Sequence, residues 1–214
     1  MLRILPSIAS ADPLNLRQAL CRIQGIGRVH VDIEDGNFVN NITFGLKTLS
    51  AISRIFNGAV DVHLMTANPE SYLEPLSKLP ISAVCGHIEA LPYPKRFLLR
   101  ARALGMKAGL AFNLKASPEE ILSYRDCLDY ILIMTSEPDD GEQSFFPSVF
   151  QRVSHFRQLA LPNTSIWCDG GIQPVHLKKL CDCGMDTAVM GRAVFSSDDP
   201  EATILSLERS IVNL

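Results

Sequence analysis

The stretch Val29-His30-Val31-Asp32-Ile33 combines the two features that decide the fold of this chain, an apolar strand and ionisable groups near the end of that strand. His30 and Asp32 are two residues apart, so on a strand they project from the same face. Two other β-rich runs carry His63 and Asp169 at their ends. A single strand histidine is more often an ordinary core residue. Two imidazoles and two carboxylates together, however, are suitable donors for a mixed nitrogen and oxygen site that binds a divalent metal.

Eight β-rich runs lie along the chain, and most are nearly continuous apolar segments rather than alternations of apolar and polar residues. Such runs are typical of parallel strands in a sheet that is covered on both faces. The predicted strands are Arg3–Ile8, Val29–Ile33, Ala59–Leu64, Ala83–Ile88, Lys107–Phe112, Tyr130–Thr135, Ser165–Cys168 and Thr187–Met190.

Segments with helical periodicity separate these strands, and proline opens several of them, as it does in the first turn of many helices. The predicted helices are Leu14–Ile23, Leu46–Ile55, Pro69–Leu79, Lys95–Leu104, Pro118–Arg125, Pro147–Leu159, Pro174–Cys183 and Pro200–Val212. Eight β–α alternations predict an α/β fold of the closed (β/α)8 TIM barrel type, with residues 1–214 as a single domain. The alternative is an open doubly wound sheet, but no Gly-x-Gly-x-x-Gly turn follows the first strand.

The chemistry of a (β/α)8 barrel lies at the C-terminal ends of its strands. In chain order the predicted strand ends carry Ser7, His30 with Asp32, His63, His87, Asn113, Met134, Asp169 and Gly191. A barrel with a purely structural role has no reason to gather polar groups at one rim. The distribution therefore favours an enzyme.

Composition limits the other classes of function. The net charge of the 214 residues is −3 and no basic cluster is present, so a nucleic-acid partner is not expected. The apolar runs are too short to span a membrane, and the N-terminal residues fit a first strand better than a signal peptide. The six cysteines have no Cys-x-x-Cys spacing, so we expect free, mostly buried thiols in a reducing cytoplasm.

A series of motifs runs in order from the first predicted strand to the last. They are Pro6-Ser7-Ile8-Ala9-Ser10-Ala11-Asp12, His30-Val31-Asp32-Ile33-Glu34-Asp35-Gly36, Asp61-Val62-His63-Leu64-Met65, Lys107-Ala108-Gly109-Leu110-Ala111-Phe112-Asn113, Ile133-Met134-Thr135, Gln143-Ser144-Phe145, Cys168-Asp169-Gly170-Gly171 and Gly191-Arg192-Ala193-Val194-Phe195. Together they resemble the ribulose-phosphate 3-epimerase family over essentially the whole chain. Several pocket positions differ from the family pattern, which indicates a divergent bacterial paralogue.

The resemblance implies a metal-dependent barrel of the ribulose-phosphate-binding type, which inverts carbon 3 of a ketopentose phosphate. By this resemblance His30, Asp32, His63 and Asp169 match the metal ligands, and Asp32 and Asp169 also match the paired acid and base. A divalent metal stabilises the enediolate as a Lewis acid, while inversion needs a proton-transferring group on each face of the sugar. We expect one ion per chain, with zinc as the first choice and iron(II), manganese or cobalt as alternatives.

The resemblance also implies a substrate pocket. Ser7 matches a residue that contacts the substrate, and Met65 and Met134 match apolar groups of the pocket, with simple core packing as their alternative. We expect His87 to form part of the pocket wall or to hydrogen bond near the site, rather than to act in catalysis. The predicted substrate-binding residues are Ser7, His63, Gly141, Glu142, Gly170, Gly171, Gly191 and Arg192.

Two regions depart from the family pattern. The family holds phosphate on backbone N–H groups after strands six, seven and eight. Here the glycine-rich loop after strand six is replaced by the segment Glu137-Pro138-Asp139-Asp140-Gly141-Glu142. The usual Gly-Ser after strand eight is Gly191-Arg192. The acidic groups either alter recognition or point to solvent, and the fork-shaped donor of Arg192 favours continued phosphate binding. Glu34 takes a position usually held by methionine, on the face of His30 and Asp32. Its carboxylate either accepts a substrate hydroxyl, pairs with Arg192 or another basic group, or lies in solvent at the rim, and the first of these would alter the sugar preference.

The sequence thus predicts C3 epimerisation of a ketose phosphate, either ribulose 5-phosphate and xylulose 5-phosphate or a related ketopentose or ketohexose phosphate. One alternative is a non-catalytic relative that binds a sugar phosphate, and another is an epimerase of an unphosphorylated ketose. An aldolase or decarboxylase is less favoured, because a Schiff base needs a lysine at a strand end and Lys107 opens its strand. The expected partners are a small sugar phosphate and further copies of the chain, as a dimer or hexamer, without nucleic acid or membrane.

Overall fold

The computed structural model describes residues 2–138 and 144–212. All eight predicted strands are present, each within two residues of its predicted bounds. They are β1 (Arg3–Pro6), β2 (Arg28–Glu34), β3 (Ala59–Met65), β4 (Ile81–His87), β5 (Lys107–Phe112), β6 (Tyr130–Met134), β7 (Ser165–Asp169) and β8 (Thr187–Met190).

The α-helices alternate with these strands along most of the chain. They are α1 (Leu16–Cys21), α2 (Leu46–Ile55), α3 (Leu73–Leu76), α4 (Pro94–Ala103), α5 (Val149–Leu159), α6 (Pro174–Asp182), α7 (Arg192–Phe195) and α8 (Pro200–Val212). The predicted bounds are confirmed for α2 and α8, and they lie within two residues of the observed bounds for α1, α4, α5 and α6.

Two connections differ from the prediction of continuous helices. The segment Pro69–Tyr72 forms a 3-10 turn that leads into α3, and Pro118–Ser123 is a 3-10 helix throughout. In the second segment only Ile121 is buried, while Leu122 is exposed. Little apolar surface is therefore available to stabilise a full α-helix by packing, and short segments without such packing are marginal.

The strands form one parallel sheet in the order β1-β8-β7-β6-β5-β4-β3-β2. A parallel bridge between Ser7 and His30 joins β1 to β2 and closes the sheet into a barrel. Across the same seam, Glu208 of α8 accepts hydrogen bonds from the backbone N–H of Ile4 and from the guanidinium of Arg28. The (β/α)8 barrel is confirmed, and the open-sheet alternative is wrong.

A cluster of buried apolar side chains, which includes Leu5 of β1 and Leu132 of β6, lies inside the barrel. Tyr130, at the start of β6, stacks on Trp167 with ring centroids 4.0 Å apart. Gly109 leaves room for this pair, since a methyl group there would lie 2.5 Å from the Tyr130 ring. The larger apolar core lies between the outer face of the barrel and the helices.

Within the described residues, no helix is both long enough and apolar enough to span a membrane. All six cysteines are free thiols, as predicted. Only Cys85, Cys127 and Cys168 are buried, however, and Cys21 at the end of α1 is exposed. The prediction of mostly buried thiols therefore holds for half of them.

Candidate active site

The four predicted metal ligands come together at the C-terminal end of the barrel. His30 and Asp32 extend from β2, His63 from β3 and Asp169 from β7. One donor atom from each side chain lies within 4.8 Å of the other three. The register of the sheet explains part of this cluster, because Asp32 and His63 are direct partners across the β2–β3 ladder.

The donor atoms are spaced like the ligands of one small ion. His30 Nε2 lies 3.2 Å from Asp32 Oδ1 and 3.7 Å from Asp169 Oδ2. His63 Nδ1 lies 3.2 Å and 3.4 Å from the same two oxygens. Ligands on a tetrahedral zinc ion with bonds of about 2.0–2.1 Å are about 3.3 Å apart. The four observed distances are close to that separation.

The hydrogen bonds of the His30 ring show which nitrogen faces the candidate metal position. Its Nδ1 forms a hydrogen bond with Asp61 Oδ1, whereas its buried Nε2 has no hydrogen-bond partner in the described part of the chain. A buried polar atom without a partner is unfavourable unless a further group binds it. Because this atom also faces two carboxylates, the residues present fit a divalent cation held by His30, Asp32, His63 and Asp169.

The charges of the cluster also favour a cation. Burial by itself lowers the pKa of His30, but the carboxylates of Asp32 and Asp61 outweigh it and raise that pKa well above its ordinary value. Burial likewise raises the pKa of Asp32, but His30 and His63 outweigh it and hold that pKa well below the usual range. Both shifts show that the surrounding groups stabilise positive charge on the imidazoles and negative charge on Asp32.

Asp61 is a residue of the site that the sequence analysis did not assign. It is buried and accepts the hydrogen bond from His30 Nδ1, which fixes the orientation of that ring. Burial raises the pKa of Asp61, and the contact with His30 opposes this rise. The available signal was its position two residues before His63, on the same face of the strand, where it pairs with His30 in the ladder.

His87 lies behind His63 rather than in the wall of the cavity. Its Nε2 is 2.8 Å from His63 Nε2, and its Nδ1 is 3.6 Å from Glu89 Oε2. Burial lowers the pKa of His87 to about 4, and Glu89 only partly opposes this shift, so the ring is neutral near pH 7. The contact agrees with the predicted hydrogen bonding near the site.

A cavity of about 160 Å³ opens above the cluster. The predicted residues that line it are Ser7, Asp32, Glu34, Met65, Met134, Asp169, Gly170, Gly171, Gly191 and Arg192. Both methionines are also buried in the core, so the two interpretations of these residues are compatible. His63, predicted to bind substrate, is fully buried beneath this wall. The predicted residues Gly141 and Glu142, with Asp139 and Asp140, lie outside the described residues.

Glycines shape one end of the cavity. Gly170 and Gly171 follow β7 with φ angles of 110° and 62°, in the region that favours glycine. A methyl group on Gly191, after β8, would lie 2.0 Å from Ser10 Oγ, so only glycine allows the two loops to approach. Arg192 follows at the start of α7, a helix that the sequence did not predict because four residues are too few for a periodic pattern.

Glu34 lies on another wall of the same cavity. The Asn41 side chain donates a hydrogen bond to Glu34 Oε2 at 2.7 Å. Thr43 Oγ1 accepts the backbone N–H of Glu34 and donates to the backbone oxygen of Asp32. The loop after β2 therefore holds the Glu34 carboxylate next to the ligand strand. Neither Asn41 nor Thr43 was predicted as a residue of the site, because both lie in a loop whose sequence has no periodic pattern.

A family model described as the ribulose-phosphate 3 epimerase family matches residues 3–195. The chain belongs to the ribulose-phosphate 3-epimerase family. A ribulose-phosphate 3-epimerase from Schizosaccharomyces pombe is 33% identical over 98% of this chain and 94% of the relative. The enzyme of that name from Synechocystis is 34% identical over 97% of this chain and 93% of the relative. The one from Bacillus subtilis is 30% identical over 98% of this chain and 100% of the relative. Membership places the chain among isomerases of the carbohydrate epimerase type.

Solved structures at lower identity support the fold alone. A tryptophan synthase α-subunit from Pyrococcus furiosus superposes with a TM-score of 0.69 at 12% identity, over 100% of this chain and 98% of that chain. An orotidine 5′-phosphate decarboxylase from Pyrococcus horikoshii also superposes with a TM-score of 0.69, at 10% identity and over 100% of both chains. These similarities agree with the closed barrel of parallel strands.

Proposed function

We propose that this member of the ribulose-phosphate 3-epimerase family inverts carbon 3 of a ketose phosphate with the help of one divalent metal ion. The substrate class is ribulose 5-phosphate and xylulose 5-phosphate, or a related ketopentose or ketohexose phosphate. The observation that carries the proposal is that Asp32 and Asp169 line one cavity from two different strands and also belong to the four-residue ligand cluster.

The metal would be held by the two histidine nitrogens and two carboxylate oxygens of the cluster, His30, Asp32, His63 and Asp169. Zinc agrees best with this donor set and with the distances between the atoms, whereas iron(II), manganese and cobalt are the alternatives. When bound, the ion supplies Lewis-acid stabilisation of the negative charge that develops on the substrate oxygens.

Proton transfer is assigned to the two carboxylates. Epimerisation removes the proton next to the ketone from one face of the sugar and returns a proton to the other face, so it needs a group on each side. Asp32 extends from β2 and Asp169 from β7, and β1 and β8 separate these strands in the barrel. Ser7 Oγ donates a hydrogen bond of 2.7 Å to Asp32 Oδ2, which leaves Oδ1 facing the histidine nitrogens.

The phosphate group is assigned to the end of the cavity lined by Gly170, Gly171, Gly191 and Arg192. The positive φ angles of the glycine pair allow successive backbone N–H groups to turn towards an anion, and the guanidinium adds a positive, fork-shaped donor. Glu34, held by Asn41, is assigned to a sugar hydroxyl, since an ionised carboxylate accepts hydrogen bonds but donates none.

A panel of ketopentose and ketohexose phosphates in deuterium oxide, with the corresponding free sugars, tests the proposal. We expect the metal-loaded protein to interconvert a pair of C3 epimers and to introduce deuterium at carbon 3, as followed by NMR. Failure with every compound would favour the alternative of a non-catalytic relative that binds sugar phosphate. A faster reaction with a free sugar would favour the epimerase of an unphosphorylated ketose.

Arg192→Ala is expected to raise KM for the phosphorylated substrate by about 10- to 100-fold, because a charge-assisted hydrogen bond is worth about 1.5–3 kcal/mol. The free sugar should be nearly unaffected. Steady-state kinetics on both substrates measure the effect. Arg54→Ala, an exposed change near the end of α2, is the matched control and should leave both KM values unchanged.

The comparison between the two substrates decides the role of Arg192. An equal rise in KM for phosphorylated and free sugar would contradict the phosphate contact and would assign this residue a structural role. The acidic residues Asp139, Asp140 and Glu142 of the segment after β6 lie outside the described residues. The expected KM change therefore rests on Arg192 and its place in the cavity wall.

Cellular location and assembly complete the proposal. A relative from Oryza sativa, 31% identical over 98% of this chain, is named as a cytoplasmic isoform, which supports a cytoplasmic location here. A homo-oligomer, either a dimer or a hexamer, stays a prediction from the family resemblance and from the general preference for closed symmetric assemblies. Size-exclusion chromatography with light scattering measures the mass of the assembly.

A further inference from the structure

The two histidine ligands are oriented by different kinds of partner. The Nε2 atom of His30 faces the cluster, and its Nδ1 forms a hydrogen bond with the carboxylate of Asp61. His63 turns Nδ1 to the cluster, and its Nε2 lies 2.8 Å from the Nε2 of His87. A metal-bound histidine usually donates its second N–H to a carboxylate, a backbone oxygen or water. The contact of His63 with another imidazole is therefore a distinct arrangement.

Counting protons fixes the direction of this hydrogen bond. Two imidazole nitrogens 2.8 Å apart need one proton between them, carried by one ring and accepted by the other. A nitrogen that binds a metal must present its lone pair, so the neutral His63 ring carries its proton on Nε2. His87 must then accept at Nε2 and, as a neutral ring, carry its own proton on Nδ1.

The surroundings of His87 hold this ring in place. It is fully buried, with the centroid of the His63 ring 4.9 Å and that of the tilted Phe38 ring 4.7 Å from its own. Its Nδ1 makes no hydrogen bond among the described residues but lies 3.6 Å from Glu89 Oε2, and that negative charge favours a proton on Nδ1. Glu89 is fixed in turn, because its other oxygen accepts the backbone N–H of Asn113.

We propose that His87 is a positioning residue, which accepts the proton of His63 Nε2 and so holds the lone pair of His63 Nδ1 towards the metal. The negative charge of Glu89, 3.6 Å from His87 Nδ1, favours the matching tautomer of His87. The inference rests on the metal site of the proposed function but not on the identity of the substrate. A carboxylate at position 87 could accept the same proton, but it would add a buried negative charge beside His63, which already contacts the carboxylates of Asp32 and Asp169. A neutral imidazole provides the acceptor without that charge.

Histidine tautomers in the zinc-loaded protein test this assignment without any variant. Long-range ¹H–¹⁵N spectra of ¹⁵N-histidine-labelled protein distinguish a protonated Nδ1 from a protonated Nε2, and the chain has only five histidines to assign. We expect the proton on Nε2 in His63 and on Nδ1 in His87. A proton on Nε2 of His87, or a doubly protonated His87 ring at pH 7, would overturn the proposal.

Two substitutions at position 87 provide an independent test. His87→Leu removes the acceptor and should weaken zinc binding by about 10- to 100-fold, the usual effect of losing a group that orients a metal ligand. His87→Gln keeps an acceptor oxygen and should bind zinc within about threefold of wild type. Competition with a chromophoric chelator measures both affinities. The matched controls are the same changes at His155, a half-exposed residue of α5 that pairs with Glu119.

The outcomes separate this inference from the proposed function. If wild-type protein bound neither zinc nor iron(II), manganese or cobalt, the metal-dependent function itself would be contradicted. If wild type bound zinc and His87→Leu bound it equally tightly, only the role of His87 would be wrong. Equal weakening by Leu and Gln would assign a packing role to His87 instead of an acceptor role. Circular dichroism checks the folding of each variant, and the tautomer measurement decides the question if His87→Leu does not fold.

Discussion

Asp32→Asn and Asp169→Asn are each expected to lower the rate of C3 epimerisation by about 10²- to 10⁴-fold, the usual contribution of a positioned acid or base. Asparagine keeps the approximate size of aspartate, but its amide does not take up a proton at neutral pH. Because inversion needs a proton-transferring group on both faces of the sugar, the loss of either carboxylate slows net conversion in both directions. Coupled enzymatic or NMR assays of net conversion measure the rate.

Both aspartates are also candidate metal ligands, so a lower rate could come from lost metal. Metal content must therefore be measured on the same samples, and the rates compared at saturating zinc. The exposed Asp182→Asn on α6, which removes only an ion pair with Lys178, is the matched control and should retain full activity. Near-normal turnover of either Asp32→Asn or Asp169→Asn would contradict the mechanism with two carboxylates.

Deuterium exchange without inversion tests more directly than the overall rate whether the two carboxylates serve opposite faces of the sugar. In each variant one carboxylate remains, and it still faces the proton of one of the two epimers. That epimer should exchange its C3 proton with solvent slowly while it keeps its configuration, and the other epimer should not exchange. The two variants should therefore favour opposite epimers. Exchange of the same epimer in both variants would show that Asp32 and Asp169 do not serve opposite faces.

The barrel could be predicted from the sequence because its signals are local. Each strand is a short apolar run, and in a parallel barrel every such run ends at the same rim. His30, Asp32, His63 and Asp169 could therefore be assigned to one cluster without knowledge of any contact, and the structure brings their donor atoms together.

The partners of the histidine ligands could not be predicted in the same way, because they depend on the register between strands and on ring orientation. Asp61 contacts His30 because the β2–β3 ladder pairs these two residues. The ladder between β3 and β4 shifts after Val60, and no local pattern marks that shift. His87 was recognised as a residue near the site, but its contact with His63 requires the positions of both rings.

The helices also show that local sequence patterns can be predicted, whereas features that depend on packing cannot. The bounds of α2 follow from a periodic apolar stripe, with Leu49 and Ile52 buried, and the prediction is confirmed there. The segment Pro118–Ser123 has helix-forming residues and a capping box, but it buries only Ile121 and forms a 3-10 helix. The choice between the two helix types depended on packing partners that the sequence does not reveal.

His63→Ala should weaken zinc binding by more than about 100-fold and reduce turnover in proportion. A group that only orients a ligand contributes about 10- to 100-fold to metal affinity, so removing the ligand itself should cost more. His63 Nδ1 is also the atom that lies within 3.4 Å of both carboxylate oxygens, Asp32 Oδ1 and Asp169 Oδ2. Without it, two like charges face the site with only His30 between them, so their repulsion further opposes the folded arrangement.

Metal analysis after dialysis, with activity measured on the same samples, tests this expectation. Wild-type protein should hold about one ion per chain, and exhaustive chelation should remove both the ion and the activity until zinc is restored. His63→Ala should hold almost none and regain little activity in added zinc, whereas His155→Ala on α5 should behave like wild type. Full activity in a preparation shown to be free of metal would contradict the metal-dependent mechanism. The four side chains would then form a hydrogen-bonded cluster whose carboxylates act alone.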